Sequence, residues 1–75
     1  MRIEEVFAEI LQEPVDAIND DTSPKTTRKW DSLKHIQVVM AIEQAFGVSF
    51  TPPEVMTITS VGAVRGLLKE KGVAA

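Results

Sequence analysis

Trp30-Asp31-Ser32-Leu33 is the stretch of this chain with the most chemistry to offer, because Ser32 stands where a long polar segment gives way to a helix-periodic run. Before it lies Asn19-Asp20-Asp21-Thr22-Ser23-Pro24, a dense turn signal. After it, Leu33, Ile36, Val39, Ile42 and Phe46 recur at spacings of three and four, one stripe of an amphipathic helix. A hydroxyl at a helix start faces the positive end of the helix dipole and the unpaired first-turn amides, which favour a phosphate carried on it. The same Asp-Ser pair also reads as a helix N-cap, a purely structural role.

Other chemistries find little support. His35 shares a helix face with Ser32, but no third group is placed to orient it, and so small a domain offers no oxyanion pocket, so a Ser-His hydrolase is not expected. His35 reads instead as a partly exposed surface residue. The acidic run Asp16 to Asp21 fails as a calcium loop: Ile18 occupies a ligand position, Asp21 stands where glycine is wanted, and Thr27 replaces the final glutamate. The four glycines are scattered and build no phosphate cradle. With no cysteine, the chain has no disulfide, no thiolate metal site and no cysteine nucleophile, and no metal site is expected. Any thiol chemistry must come from a prosthetic group.

The elements that position Ser32 follow from the same patterns. Residues 2 to 12 predict a first helix with Ile3, Val6, Phe7 and Ile10 inward and Glu4 and Glu5 in its first turn; Pro14 stops it. Residues 15 to 31 predict a long ordered loop, pegged to the core by Val15, Ile18 and Trp30, with Trp30 an anchor rather than a ligand-stacking residue. The second helix runs from about Ser32 to Phe46, with Gly47 as a left-handed cap. Pro52-Pro53 before Glu54-Val55-Met56 suits a single short helix. Ser60 caps a last helix that places Val61, Val64, Leu67 and Leu68 inward and ends at Gly72. Gly62 and Gly66 either permit close packing there or are local costs. The expected fold is all-α: a small antiparallel four-helix bundle with a short third helix and a long loop between helices 1 and 2, one domain over residues 1–75. At this size a core leaves only about 3 to 5 kcal/mol of net stability.

Taken with Asp31-Ser32-Leu33, the segment Ile42-Glu43-Gln44-Ala45-Phe46-Gly47 and the long first loop, the chain resembles the acyl carrier proteins over nearly its whole length. In that family the serine of an Asp-Ser-Leu motif receives 4'-phosphopantetheine from coenzyme A. The resemblance implies that Ser32 is the attachment residue, with Asp31 and Leu33 its motif neighbours and Asp31 adjacent to metal and phosphate during transfer. It implies a non-enzyme that carries acyl, aminoacyl or peptidyl groups as thioesters. Its partners would be a phosphopantetheinyl transferase and acyl-loading, condensing and releasing enzymes. Phe7, Ile36, Val39, Phe46, Ile58 and Leu67 are candidates to line an acyl chain, and equally the ordinary core. The alternative is a helical interaction module of carrier-like fold that is never modified.

Charge separates this chain from the family's commonest pattern. Residues 1–24 hold one basic and seven acidic residues, a balance of −6, while residues 25–75 hold seven basic and four acidic, +3. Lys25, Arg28, Lys29 and Lys34 gather around the approach to Ser32, and Glu43 is the only acid of the second helix after Asp31, close enough to the apolar stripe to be paired inward. Docking is therefore expected on Lys34, Gln37, Val38 and Ala41, with Met40 as an adaptable apolar contact at the edge. That points to a dedicated carrier in a specialised fatty-acid, polyketide or nonribosomal peptide pathway. No aromatic stacking set or recognition helix supports nucleic-acid binding. The longest apolar stretch, Val38 to Ile42, is too short to span a bilayer, and the charged start is not a signal peptide, so a cytoplasmic monomer is the expectation.

Overall fold

The computed structural model describes residues 2–74 and contains four α-helices: α1 (Ile3–Leu11), α2 (Ser32–Phe46), α3 (Pro52–Met56) and α4 (Val61–Glu70). No strand occurs among the described residues. The expected helical bundle is the observed architecture, with helix limits within a residue or so of those predicted.

Each helix end has a local cause. Glu5 reaches back to accept from the Arg2 amide at 2.7 Å, closing the start of α1. At its end Gln12 adopts φ 55°, a left-handed position held without glycine, and its carbonyl receives Lys29 Nζ at 2.9 Å. Gly47 (φ 65°) ends α2 and Gly72 (φ 78°) follows α4, the conformation for which glycine carries no steric cost. Thr51 and Glu54 form a reciprocal capping box on α3, with Pro52 and Pro53 in its first turn.

One contiguous core joins the helices. Ile3, Val6, Phe7 and Leu11 of α1 meet Val38, Val39 and Ile42 of α2 and Val61, Val64 and Leu68 of α4, with Ile18, Trp30 and Ile58 added from the connections. Leu11, rather than Ile10, completes the inner stripe of α1, and Ile10 is half-buried. In α2 the expected stripe is rotated: Val38 is fully buried, whereas Leu33 and Ile36 face outward. The reason is that α2 carries apolar residues on two faces, and only the face opposite Leu33 and Met40 is covered.

The long loop is ordered by its own bonds. A 3-10 turn spans Val15–Ala17, Asn19 Oδ1 accepts from the Asp21 amide, and the Thr22 hydroxyl accepts from the Asn19 amide. Ile18 and Trp30 peg it as expected, but Val15 does not: it is exposed, because the 3-10 turn directs it away from the core. Asp20 is no mere solvated turn residue. The first amides of α4, Val61 and Gly62, donate to the Thr22 and Asp20 carbonyls at 2.9 and 3.0 Å, and Arg65 bonds both Asp20 and Glu4. The loop thus supplies acceptors that α4 lacks at its own start. A Cβ on Gly62 would stand 3.1 Å from the Asp20 carbonyl oxygen, so Gly62 permits this approach; a Cβ on Gly66 would meet nothing within 4 Å.

Candidate functional site

Ser32 is the first residue of α2, exposed, and preceded by the helix cap. The cap is Asp31: its Oδ1 accepts from the Lys34 amide at 2.9 Å, and its carbonyl takes the first intrahelical bond, from the His35 amide at 2.8 Å. The two readings of Asp31-Ser32 are therefore divided between the two residues. Asp31 holds the helix start and leaves the Ser32 hydroxyl outside that role. The amides of Ser32 and Leu33 lie in the first turn, where no intrahelical acceptor exists, and the dipole of a 15-residue helix points its positive end at them. An exposed alcohol at the positive end of the helix suits a phosphodiester-linked group.

Trp30 and His35 brace the approach. The indole Nε1–H donates to His35 Nδ1 at 3.1 Å, and His35 Nε2 lies 3.2 Å from the Val55 carbonyl of α3. Trp30 also packs on Phe7, ring centroids 5.0 Å apart. His35 is half-buried and twice bonded rather than a simple surface residue. The three-residue arrangement escaped sequence reasoning because its last member, Val55, lies 20 residues beyond His35; the available signal was a tryptophan just ahead of the helix and a histidine in its first turns.

Outside the core, α2 presents an apolar face beginning at Ser32. Leu33, Ile36 and Met40 are 63%, 58% and 55% exposed, at spacings that put them on one side of the helix, and Met56 at the end of α3 is 82% exposed. Gln37 is exposed among them and Lys34 is half-exposed at the margin. Two of the expected assignments are corrected by burial. Val38 is inaccessible and cannot contact a partner, and Ile36 faces solvent and cannot line the interior. Ala41 is half-buried on the same margin as Lys34, two turns further along, and Met40 is central to the face rather than at its edge. Of the remaining interior candidates, Phe7, Val39 and Ile58 are buried and Phe46 and Leu67 half-buried against the core.

No carboxylate interrupts this face between Asp31 and Glu43, and Glu43 turns inward, its Oε2 accepting from the Phe50 amide at 2.8 Å. Lys29 is already engaged with Gln12 and Glu13, whereas Lys25 and Arg28 are exposed on the loop. On α3, the Thr51 amide above all, and then Lys71, hold the Glu54 carboxyl below the usual carboxylate range. Burial pushes the Glu4 carboxyl up, but its backbone hydrogen bond and Arg65 more than reverse this.

A hollow of about 360 Å³ lies between α1 and α2, lined by Val6, Glu9, Ile10, Ala41, Gln44 and Ala45. Ala41 is nine residues beyond Ser32, half a turn round the helix, so this hollow opens away from the serine. Among the described residues no group of histidine and carboxylate side chains could hold a metal ion, and no helix is long and apolar enough to cross a membrane.

Comparison with known proteins bears on the same segment. Residues 2–68 match the family model described as the phosphopantetheine attachment site. The chain is also similar to acyl carrier protein 3 of Ralstonia nicotianae, 32% identical over 60 residues that cover 80% of this chain and 69% of that protein.

Proposed function

Since the chain belongs to the acyl carrier protein family, whose prosthetic group is covalently attached 4'-phosphopantetheine, we infer that Ser32 is the residue that carries it and that the domain moves acyl or aminoacyl groups between enzymes. The observation that carries this reading is an exposed Ser32 hydroxyl at the first position of α2, released from capping by Asp31. When bound, the arm supplies a terminal thiol able to hold such a group as a thioester.

The chain's own residues have three tasks. Ser32 offers Oγ as the nucleophile toward the pantetheine-side phosphorus of coenzyme A: the Oγ–P bond forms as the pyrophosphate P–O bond breaks, adenosine 3',5'-bisphosphate leaves, and the hydroxyl proton is lost to a base of the transferring enzyme. Asp31 fixes the helix start through Oδ1 and leaves Oδ2 outside the cap bond, where it would help hold the magnesium ion that the transferring enzyme uses to neutralise phosphate charge. Leu33, Ile36 and Met40 provide an apolar docking face, with Gln37 and Lys34 at its margin. Methionine suits a face that must meet several partners in turn. Each contact can be weak, because tethering supplies the effective concentration at the next active site. The phosphopantetheinyl transferase and the loading, condensing and releasing enzymes would meet this face, and its lack of carboxylates favours a specialised fatty-acid, polyketide or nonribosomal peptide system.

Intact mass after incubation with coenzyme A, magnesium and a broad-specificity phosphopantetheinyl transferase tests the assignment. One added phosphopantetheine, absent in Ser32→Ala, is the expected result. Modification of the Ser32→Ala variant would overturn the site. A folded wild-type protein that the active enzyme leaves unmodified would favour an interaction module without the arm.

A further inference from the structure

We propose that Trp30 and His35 form a proton-sensitive clasp that fixes α3 beside the Ser32 end of α2 and opens on acidification. An indole N–H can only donate, so its 3.1 Å bond requires an unprotonated Nδ1 on His35. The ring proton then sits on Nε2, which donates to the Val55 carbonyl 3.2 Å away. One neutral tautomer satisfies both neighbours.

The clasp matters because α3 has little else. None of its five residues is fully buried, only Val55 packs partly against the core, and among the described residues its polar side-chain ties to the other helices are the His35 bond and the Lys71–Glu54 pair at 3.0 Å. Protonation makes both ring nitrogens donors, and no orientation of an imidazolium offers Trp30 an acceptor. Trp30 is only 2% exposed and packed on Phe7, so water does not readily take the acceptor's place. The histidine ring must withdraw from the indole, beside which it lies nearly coplanar with centroids 6.0 Å apart, and the Val55 bond goes with it. Imidazole is the side chain whose ordinary titration falls between about pH 5 and 8.

Charged residues flank the clasp along the chain and across the His35–Val55 bond. On its own helix they are Asp31, whose Oδ1 is held by the Lys34 amide, and Lys34 itself. On α3 the neighbour is Glu54, next to Val55 and already paired with Lys71 of α4. From α1 the packing arrives through Phe7 against Trp30. Because α3 ends in the exposed Met56, opening the clasp would free the short helix that carries this apolar side chain. The clasp itself stands whether or not Ser32 carries the arm, and its test uses the unmodified protein.

The chain has one histidine and one tryptophan, so each gives a single set of ring signals in NMR of the nitrogen-15-labelled protein. The expected result is an Nε2–H tautomer at pH 8. Between pH 8 and 5, the Trp30 indole proton and the Val55 to Ile58 amides should shift with the midpoint of the His35 ring. The opening constant of the Ile58 amide, corrected for intrinsic exchange, should rise about tenfold, the equilibrium worth of one lost hydrogen bond. His35→Gln keeps an acceptor and a donor without titrating and should abolish the step. An Nδ1–H tautomer at pH 8, α3 amides indifferent to the histidine titration, or an unchanged step in a folded His35→Gln protein would each overturn the proposal.

Discussion

Asp31 and Ser32, adjacent in sequence, have separable roles, and substitution separates them. Ser32→Ala should lose all loading while changing stability in urea by less than about 0.5 kcal/mol, the range of surface changes. Asp31→Ala should lower stability by about 1 kcal/mol through the lost cap bond. If the serine variant shows the larger loss, the helix start is held differently from this account. Ile36→Glu and Met40→Glu should leave the helical circular dichroism unchanged and slow loading by the transferase roughly tenfold, the effect of an interface contact worth more than about 1 kcal/mol. At this scale Ser32 was legible, because a motif and a helix boundary coincide there. The paired state of His35 was not, since a bond to Val55 leaves no trace in the local pattern.

Two glycines of α4 look alike in sequence but have different surroundings. Gly66 has open space where a Cβ would go, so Gly66→Ala should stabilise the protein by about 0.5 to 1 kcal/mol through helix propensity. Gly62→Ala brings a Cβ to 3.1 Å from the Asp20 carbonyl oxygen and should gain less or lose; thermal melts of the two variants compare them directly. The short helix α3 offers a test by pH. Glu54 titrates below its ordinary range, held there first by the Thr51 amide and then by Lys71. A carboxylate with a lowered folded value contributes fully above its unfolded value, about 4.3, and loses that contribution as pH falls through the folded one. Amide exchange in α3 should therefore show an acid step below about pH 4 that Glu54→Gln removes and His35→Gln leaves in place.

Across the whole molecule, stability rests on one small core with Phe7 near its centre, packed on Trp30 and shared by α1, α2 and α4. Phe7→Ala should cost about 3 to 5 kcal/mol, as much as a bundle of this size has to lose, and leave the protein largely unfolded by circular dichroism at 25 °C. The helix limits were readable from residues alone because their causes act within a turn or two: the Asp31-Ser32 pair and Ser60 as caps, Pro52 and Pro53 opening the short helix, Gly47 and Gly72 in left-handed positions, and apolar spacing between. Which face of α2 turned inward was not, because Leu33, Ile36 and Met40 on one side compete with Val38, Val39 and Ile42 on the other, and periodicity cannot rank two apolar stripes. Packing ranks them: Val38, Val39 and Ile42 join the core with α1 and α4, while Leu33, Ile36 and Met40 are left in water beside Ser32. The loop's hold on α4 and the reach of His35 to α3 have the same origin, bonds between residues far apart in the chain that exist only once the helices have assembled.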